Sequence, residues 1–365
     1  MAKNLANGGG YYYEGGVPVL LYPPGFTLLL SALFVISDVL HINESMILTL
    51  FILLCTGISA IIIYRFSLFL WNKKYAFLSS MLWVCYPLFL WFTRRPSSEL
   101  PFLVLFLGAL YLFWVAIRTQ KRIIAYSLLA GMLIGCAMLI RPIGIGLVFV
   151  LGFSLLFIKY QLKIRTKVLI IALMLLGNIA IVLPWELWVY QKTGKVVMLT
   201  DGSGIAMRDG LTFAVHLKGY RQGVKIPDDV REMMRDMHRN HYSKMVSKAY
   251  IMNLLRQKFR ENPGAVIKLY MIKIVRSWYC TDSQRYELAL LAIQIPFLLL
   301  SLLATYFALR RKKEYYEIAL IIWLFVGYFW LMSILSLTLV RYLVPGIGLL
   351  FLLWPALIKG QKTEV

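Results

Sequence analysis

The side chains best placed to do chemistry in this sequence are arginines at the ends of apolar runs. Arg94, Arg95, Arg141 and Arg341 all stand at such boundaries. A guanidinium is a planar fork of donors that matches phosphate oxygens. Several of them at neighbouring helix mouths could close on one phosphate, and the same residues could snorkel to lipid headgroups instead. Both readings are open at the level of residues. Glu99 follows Arg94-Arg95-Pro96-Ser97-Ser98, so a carboxylate meets two guanidiniums. A serine cap with an acid in the first turn explains the same string and leaves Glu99 free to border a site. Tyr22-Pro23-Pro24-Gly25 makes a rigid start to an apolar helix. Arg141-Pro142 and Arg341-Tyr342 are the other polar marks between apolar runs. His238 and His241 share a helix face, but no carboxylate stands in an obvious ligand position, so no metal site is assigned. Cys55, Cys85 and Cys136 lie in apolar runs and Cys280 stands alone, which makes neither a disulfide framework nor a metal spacing. No phosphate-binding glycine loop, dinucleotide fingerprint, zincin motif or nucleophile elbow occurs.

The elements that must hold these residues are membrane helices. The chain is 60% hydrophobic and 15% charged, with mean hydropathy +0.72. Globular chains are about 45–50% apolar and about 25% charged. A hydrocarbon core about 30 Å thick takes roughly 20 apolar residues per helix. Eight segments meet that need, at 46–71, 75–92, 100–117, 123–140, 143–158, 168–190, 288–309 and 318–340, and a shorter ninth runs over 342–358. The linkers 72–74, 118–122, 159–167, 310–313 and 359–362 are rich in Lys and Arg, which orients them to the cytoplasm. That leaves 93–99, 141–142, 191–285 and Arg341 outside. The expected fold is therefore an all-α polytopic bundle of about nine transmembrane helices with outer interfacial helices. The plasma (inner) membrane is the expected location, with the C-terminus cytoplasmic. The net charge of +22 fits this arrangement better than nucleic-acid binding.

Residues 25–42 make a poor tenth span, because Pro23-Pro24 stand at their mouth and Asp38 and His41 near their end. They are expected to lie along the outer interface, with the first loop outside. A first loop outside needs something to translocate it, and an additional helix before Met1 is the expectation that follows. The outer stretch 191–285 holds 18 basic and 8 acidic residues, suited to an anionic partner such as a lipid phosphate or pyrophosphate. Within it 191–210 reads as loop, 227–258 as polar helix and 265–279 as an amphipathic interfacial helix. Four regions result: a first loop with its interfacial helix (1–45), a transmembrane bundle (46–190), the outer loop (191–285) and C-terminal spans (286–365). Carboxylates are nearly absent from the spans and no internal repeat is visible, which argues against an ion-coupled transporter.

Several of these marks, taken in order, resemble one family. Ala2, Leu5 and Gly8 are similar to an A-x-x-L-x-x-G stretch, and Tyr22-Pro23-Pro24-Gly25-Phe26 to a Y-P-P-G-[YF] motif. Ser98-Glu99 resembles an acidic mark in the next outer loop. Gly131 and Gly135, with Leu139-Ile140-Arg141-Pro142, resemble a G-x-x-x-G…L-x-R-P helix. Pro184-Trp185, Thr200-Asp201-Gly202 and Arg341-Tyr342 with Pro345 complete the series. Together they resemble the GT-C membrane glycosyltransferases, specifically bacterial relatives of dolichyl-phosphate-mannose protein mannosyltransferases.

The resemblance implies transfer of a sugar from a polyprenyl-phosphate carrier to a glycan, lipid or protein acceptor outside the cytoplasm. It implies Tyr22, Arg94, Arg95, Glu99, Arg141, Asp201, Arg341 and Tyr342 as residues of the substrate site. No cofactor is required by it, and a divalent cation is left open. The family's general base is an Asp a few residues before the A-x-x-L-x-x-G stretch, a position that falls before Met1. The base and the additional helix are thus expected in the same place. Glu14, the acid of the first loop, is a weak substitute, and Glu99 a second acid. As written, the chain is expected to transfer no sugar. The alternatives are a non-catalytic subunit that binds lipid-linked glycan on the same scaffold and, less well supported, a glycan flippase.

Overall fold

The structure, a computed structural model, describes residues 1–12, 19–158, 162–215, 226–282, 286–311 and 313–358. It is helical throughout the bundle. Short α1 (Ala2–Ala6) is followed by α2 (Gly25–Leu40) and α3 (Glu44–Ser67), then α4 (Lys73–Val84) and α5 (Pro87–Phe92). The chain continues through α6 (Glu99–Thr119), α7 (Ile123–Ile140), α8 (Leu147–Ser154) and α9 (Ile164–Thr193). Helices α10 (Ser203–Thr212), α11 (Asp228–Asp236), α12 (Lys248–Glu261) and α13 (Pro263–Arg276) precede the long α14 (Glu287–Arg311) and α15 (Lys313–Leu335). Two short helices, α16 (Val344–Leu350) and α17 (Pro355–Ile358), end the described chain.

Among the described residues, six helices are long and apolar enough to cross a membrane: α3, α6, α7, α9, α14 and α15. The other three expected spans are broken, and prolines explain two of the breaks. Proline disfavours a helical conformation in the residue before it. Tyr86 is accordingly extended before Pro87 and divides 75–92 into α4 and α5. Arg141 is extended before Pro142, so α7 stops and a 3-10 turn over Pro142–Gly146 leads into α8. Residues 342–358 form α16 and α17 joined by turns. Residues 25–42 give one 16-residue apolar helix, ended by His41 in the left-handed region. Asn43 and Asn72 start α3 and α4 by accepting hydrogen bonds from the amides of Ser45 and Tyr75.

The chain forms two compact units. The first comprises residues 1–200, 303–324 and 348–365. Its core is aromatic, with Trp83, Phe89, Phe102, Phe106, Phe113 and Trp114 fully buried. Late segments are stitched to early ones by polar ring atoms. The Trp71 indole donates to the Leu352 carbonyl at 2.7 Å, and the Tyr315 hydroxyl to that of Leu70 at 2.9 Å. Small residues let α7 and α9 touch along their backbones. Gly131 and Gly135 pack on Met174, Asn178 and Ile181, while Gly177 packs on Leu128 and Met132.

The second unit comprises residues 201–302 and 325–347. Its helices α10 to α13 enclose their own apolar core, which includes Val230, Met234, Met237, Met245, Ile251 and Leu269. The expected loop over 191–210 is a helix from Ser203 onward. Its glycines are there for close packing: Gly204 lies on the Val246 carbonyl and Gly210 on that of Ser336.

Candidate functional site

Proline chemistry places Arg141. The extended conformation before Pro142 takes its side chain off the α7 spiral, and its guanidinium meets Glu99 at the start of α6, with Nη1 to Oε1 at 2.6 Å. Each side chain retains only 12% of its exposure. A charge-assisted contact this sheltered aligns the fork rigidly. Ser98 occupies the N-cap position of α6 without a side-chain capping bond. The Ser97 hydroxyl is buried with no hydrogen-bond partner among the described residues.

The Tyr22-Pro23-Pro24-Gly25 segment arrives at the same place. A Cβ on Gly25 would lie 2.6 Å from the Leu139 carbonyl oxygen and 2.9 Å from the Ile140 amide nitrogen. Only glycine lets the first turn of α2 sit on the end of α7 this closely. Two widely separated motifs, Y-P-P-G-F and L-I-R-P, are therefore one structural joint. Tyr11 holds its other side: its hydroxyl donates to the carbonyls of Tyr22 at 3.0 Å and Pro23 at 3.3 Å. The Tyr11 ring packs edge-on against Trp185 and Trp188 of α9.

The end of α9 ties in the segment before Asp201. The Trp185 indole donates to the Leu199 carbonyl at 3.1 Å, and Glu186 accepts from the Leu199 amide at 2.7 Å. Leu199 is buried with φ +61°, a conformation uncommon for a leucine and held here from both sides. The Thr200 hydroxyl then donates to the Leu21 carbonyl at 2.5 Å and lies 3.1 Å from that of Leu20, directly ahead of Tyr22.

The residues singled out from sequence thus separate into groups. Glu99, Arg141 and the Tyr22–Gly25 segment come together in the first unit, with the Tyr22 side chain itself exposed. Arg94 stays local, its guanidinium 5.4 Å from the centre of the Trp91 ring, and Arg95 is exposed. Asp201 is exposed at the start of the second unit. Arg341 belongs to that unit, where it pairs with Asp282 at 3.2 Å and lies over the Tyr342 ring. Glu14 lies outside the described residues. Sequence reasoning missed Tyr11 and Leu199, and it marks Glu186 as an acid near the outer end of a span without giving its partner. A tyrosine in a glycine-rich loop and a leucine with positive φ carry no local signal, because only the contacts of α9 give them their role.

Elsewhere the polar groups are occupied locally. His241 Nδ1 lies 2.8 Å from the Tyr250 hydroxyl, and His238 packs edge-on against Tyr242. Hydrogen bonds from Lys258 and Asn240 hold the Asp236 carboxyl below its ordinary range. A cavity of about 490 Å³ along α11 is lined by Asp228, Glu232 and Asp236 against Arg231, Arg235 and Arg239, so it carries no single sign of charge.

Residues 22–188, which hold the Tyr22 segment, Glu99, Arg141 and Trp185, match the family described as dolichyl-phosphate-mannose-protein mannosyltransferase. No curated protein matches the chain. Among solved structures the fold is similar to the archaeal oligosaccharyltransferase AglB from Archaeoglobus fulgidus, determined in complex with an inhibitory peptide and a dolichol-phosphate. The TM-score is 0.56 and the identity 14%, over 98% of this chain and 45% of AglB. The chain therefore spans less than half of that protein's length. Over residues 22–188 the chain is thus similar to the dolichyl-phosphate-mannose-protein mannosyltransferase family, and its helical fold is similar to that of AglB.

Proposed function

We propose that this protein handles a polyprenyl-phosphate-linked sugar and that its family chemistry is transfer of that sugar to a glycan, lipid or protein acceptor. The observation that carries the reading is the sheltered Glu99–Arg141 pair, set at the joint between the Tyr22–Gly25 segment and the end of α7. A preoriented guanidinium suits a leaving phosphate, on which negative charge grows as the sugar departs. Glu99 is the orienting group, because its carboxylate is already engaged by Arg141. AglB was solved with a dolichol-phosphate, which supports a lipid-phosphate carrier here.

A second reading, a binder of lipid-linked glycan that does not catalyse, has an observation of its own. Glu186 accepts from the Leu199 amide and Glu99 pairs with Arg141, so each of these carboxylates already serves a structural contact. A positioned general base contributes about 10²–10⁴-fold. The deciding experiment measures binding and transfer on the same purified protein, with a polyprenyl-phosphate sugar and a chelator arm for cation dependence. Transfer abolished by Arg141→Ala supports the enzyme. Binding weakened by Arg141→Ala without any turnover supports the binder. Neither binding nor transfer would defeat both readings.

A further inference from the structure

Helix α13 turns an apolar face outward. Successive residues of a helix are about 100° apart, so Ile267, Met271 and Val275 share one face. All three are exposed, by 50, 58 and 59%. Lys273 and Arg276 lie on the opposite face and are buried, with 0 and 4% exposure. Ala265, Val266 and Leu269 are buried on the same side, and the exposed Lys268 beside the apolar face pairs with Asp229 at 2.8 Å, so the helix has two apolar sides where one at a water boundary has a single apolar stripe.

The buried cations explain where α13 sits. Lys273 Nζ donates to the Ser336 carbonyl, just past the end of α15, at 3.1 Å. Arg276 pairs with Glu287 in the first turn of α14 at 2.7 Å. The Trp330 indole of α15 donates to the Ser277 hydroxyl at 2.8 Å and lies 3.1 Å from the Ile274 carbonyl. The inward face is thus fastened to the ends of two apolar helices long enough to span a membrane. The start of α14 points the same way, since Leu288 is 83% exposed.

We propose that the Ile267–Met271–Val275 face of α13 is seated in the acyl region of one bilayer leaflet. It makes α13 a non-spanning membrane helix whose cations serve the protein and whose apolar face serves the lipid. Phospholipid acyl chains are the occupant that fits, because the helix is fastened to the ends of two membrane-length helices and its outward face is apolar at each of these three positions.

The test uses the full chain in phosphatidylcholine proteoliposomes, with native cysteines replaced and a bimane label at Met271→Cys or at the exposed α11 position Glu232→Cys. Brominated acyl chains should quench the Met271 label at least about threefold more than the Glu232 label, and aqueous iodide should show the opposite order. Iodide quenching of Met271 equal to that of Glu232 would overturn the proposal. So would self-quenching between labelled copies that disappears on dilution with unlabelled protein, since a second copy would then cover the face. A matching label at Val275→Cys separates a true face from a local distortion at Met271, and it too must follow the acyl quencher.

Discussion

At the scale of the residue, the arginines that look alike in sequence have different lives. Arg141 is sheltered and paired with Glu99, whereas Arg94 lies over a neighbouring ring and Arg95 is exposed. Replacing Arg141 with Met should cost about 1–3 kcal/mol of stability, because a largely buried carboxylate loses a charged hydrogen-bond partner. The Glu99→Met/Arg141→Met double variant should cost less than the two single changes summed. Thermal unfolding in detergent measures the cycle, and additive losses would deny the coupling. Lys273 makes a separate prediction. Burial lowers its pKa from 10.5 to about 7. The unfolded chain keeps that proton through a window in which the folded chain has shed it, so unfolding takes up a proton there. Stability should therefore rise with pH between about 7 and 10.5, by at most about 1.4 kcal/mol per pH unit, and this contribution should be flat below about 7. Lys273→Met should remove that slope, as read by chemical denaturation at pH 7, 8 and 9.

At the scale of the element, the joint between α2 and α7 is decided by one missing Cβ. Gly25→Ala would drive a methyl group into the Leu139 carbonyl, so α2 must move or the turn must open. The expected cost is about 1–3 kcal/mol, as for overpacking elsewhere. Binding of a polyprenyl-phosphate sugar should fall with it by about tenfold or more, a change equivalent to about 1.4 kcal/mol. A Gly25→Ala protein that keeps wild-type stability and binding would show that the joint is not needed. Proline acts on the same scale. Pro87 is visible in the sequence, yet the apolar run over 75–92 reads straight through the break it imposes, whereas Arg141-Pro142 already marks a boundary between runs. Hydropathy measures composition over a window, while a helix break depends on one residue's backbone. In the case of Arg141 the break is what turns the side chain toward Glu99.

At the scale of the whole molecule, the charge pattern predicts sidedness. Cysteines introduced at Arg310 and at Lys248 should lie on opposite sides of the membrane, with Lys248 reached by an impermeant thiol reagent in intact cells and Arg310 protected until the cells are opened. Labelling of both in intact cells would refute the assigned orientation. The division into two units cuts across the order of the chain, since 303–324 and 348–365 join the first unit and 325–347 the second.

Composition and the spacing of apolar runs were enough to make this an all-helical membrane protein, because continuous apolar runs of about 20 residues satisfy their backbone in lipid as helices, whereas a barrel strand is shorter and alternates. Local motif order pointed to the same family that residues 22–188 match, since each mark records a backbone need such as a glycine at a close approach or a proline at a helix end. What the sequence could not provide was convergence. That Gly25 touches Leu139, that Arg141 chooses Glu99 and not a neighbour in sequence, and that Thr200 grips Leu21 across 179 residues are outcomes of packing. The same holds for α13: its interleaved cations and apolar residues announce an amphipathic helix, but which face turns outward depends on the carbonyl and carboxylate partners that only the tertiary fold brings to Lys273 and Arg276.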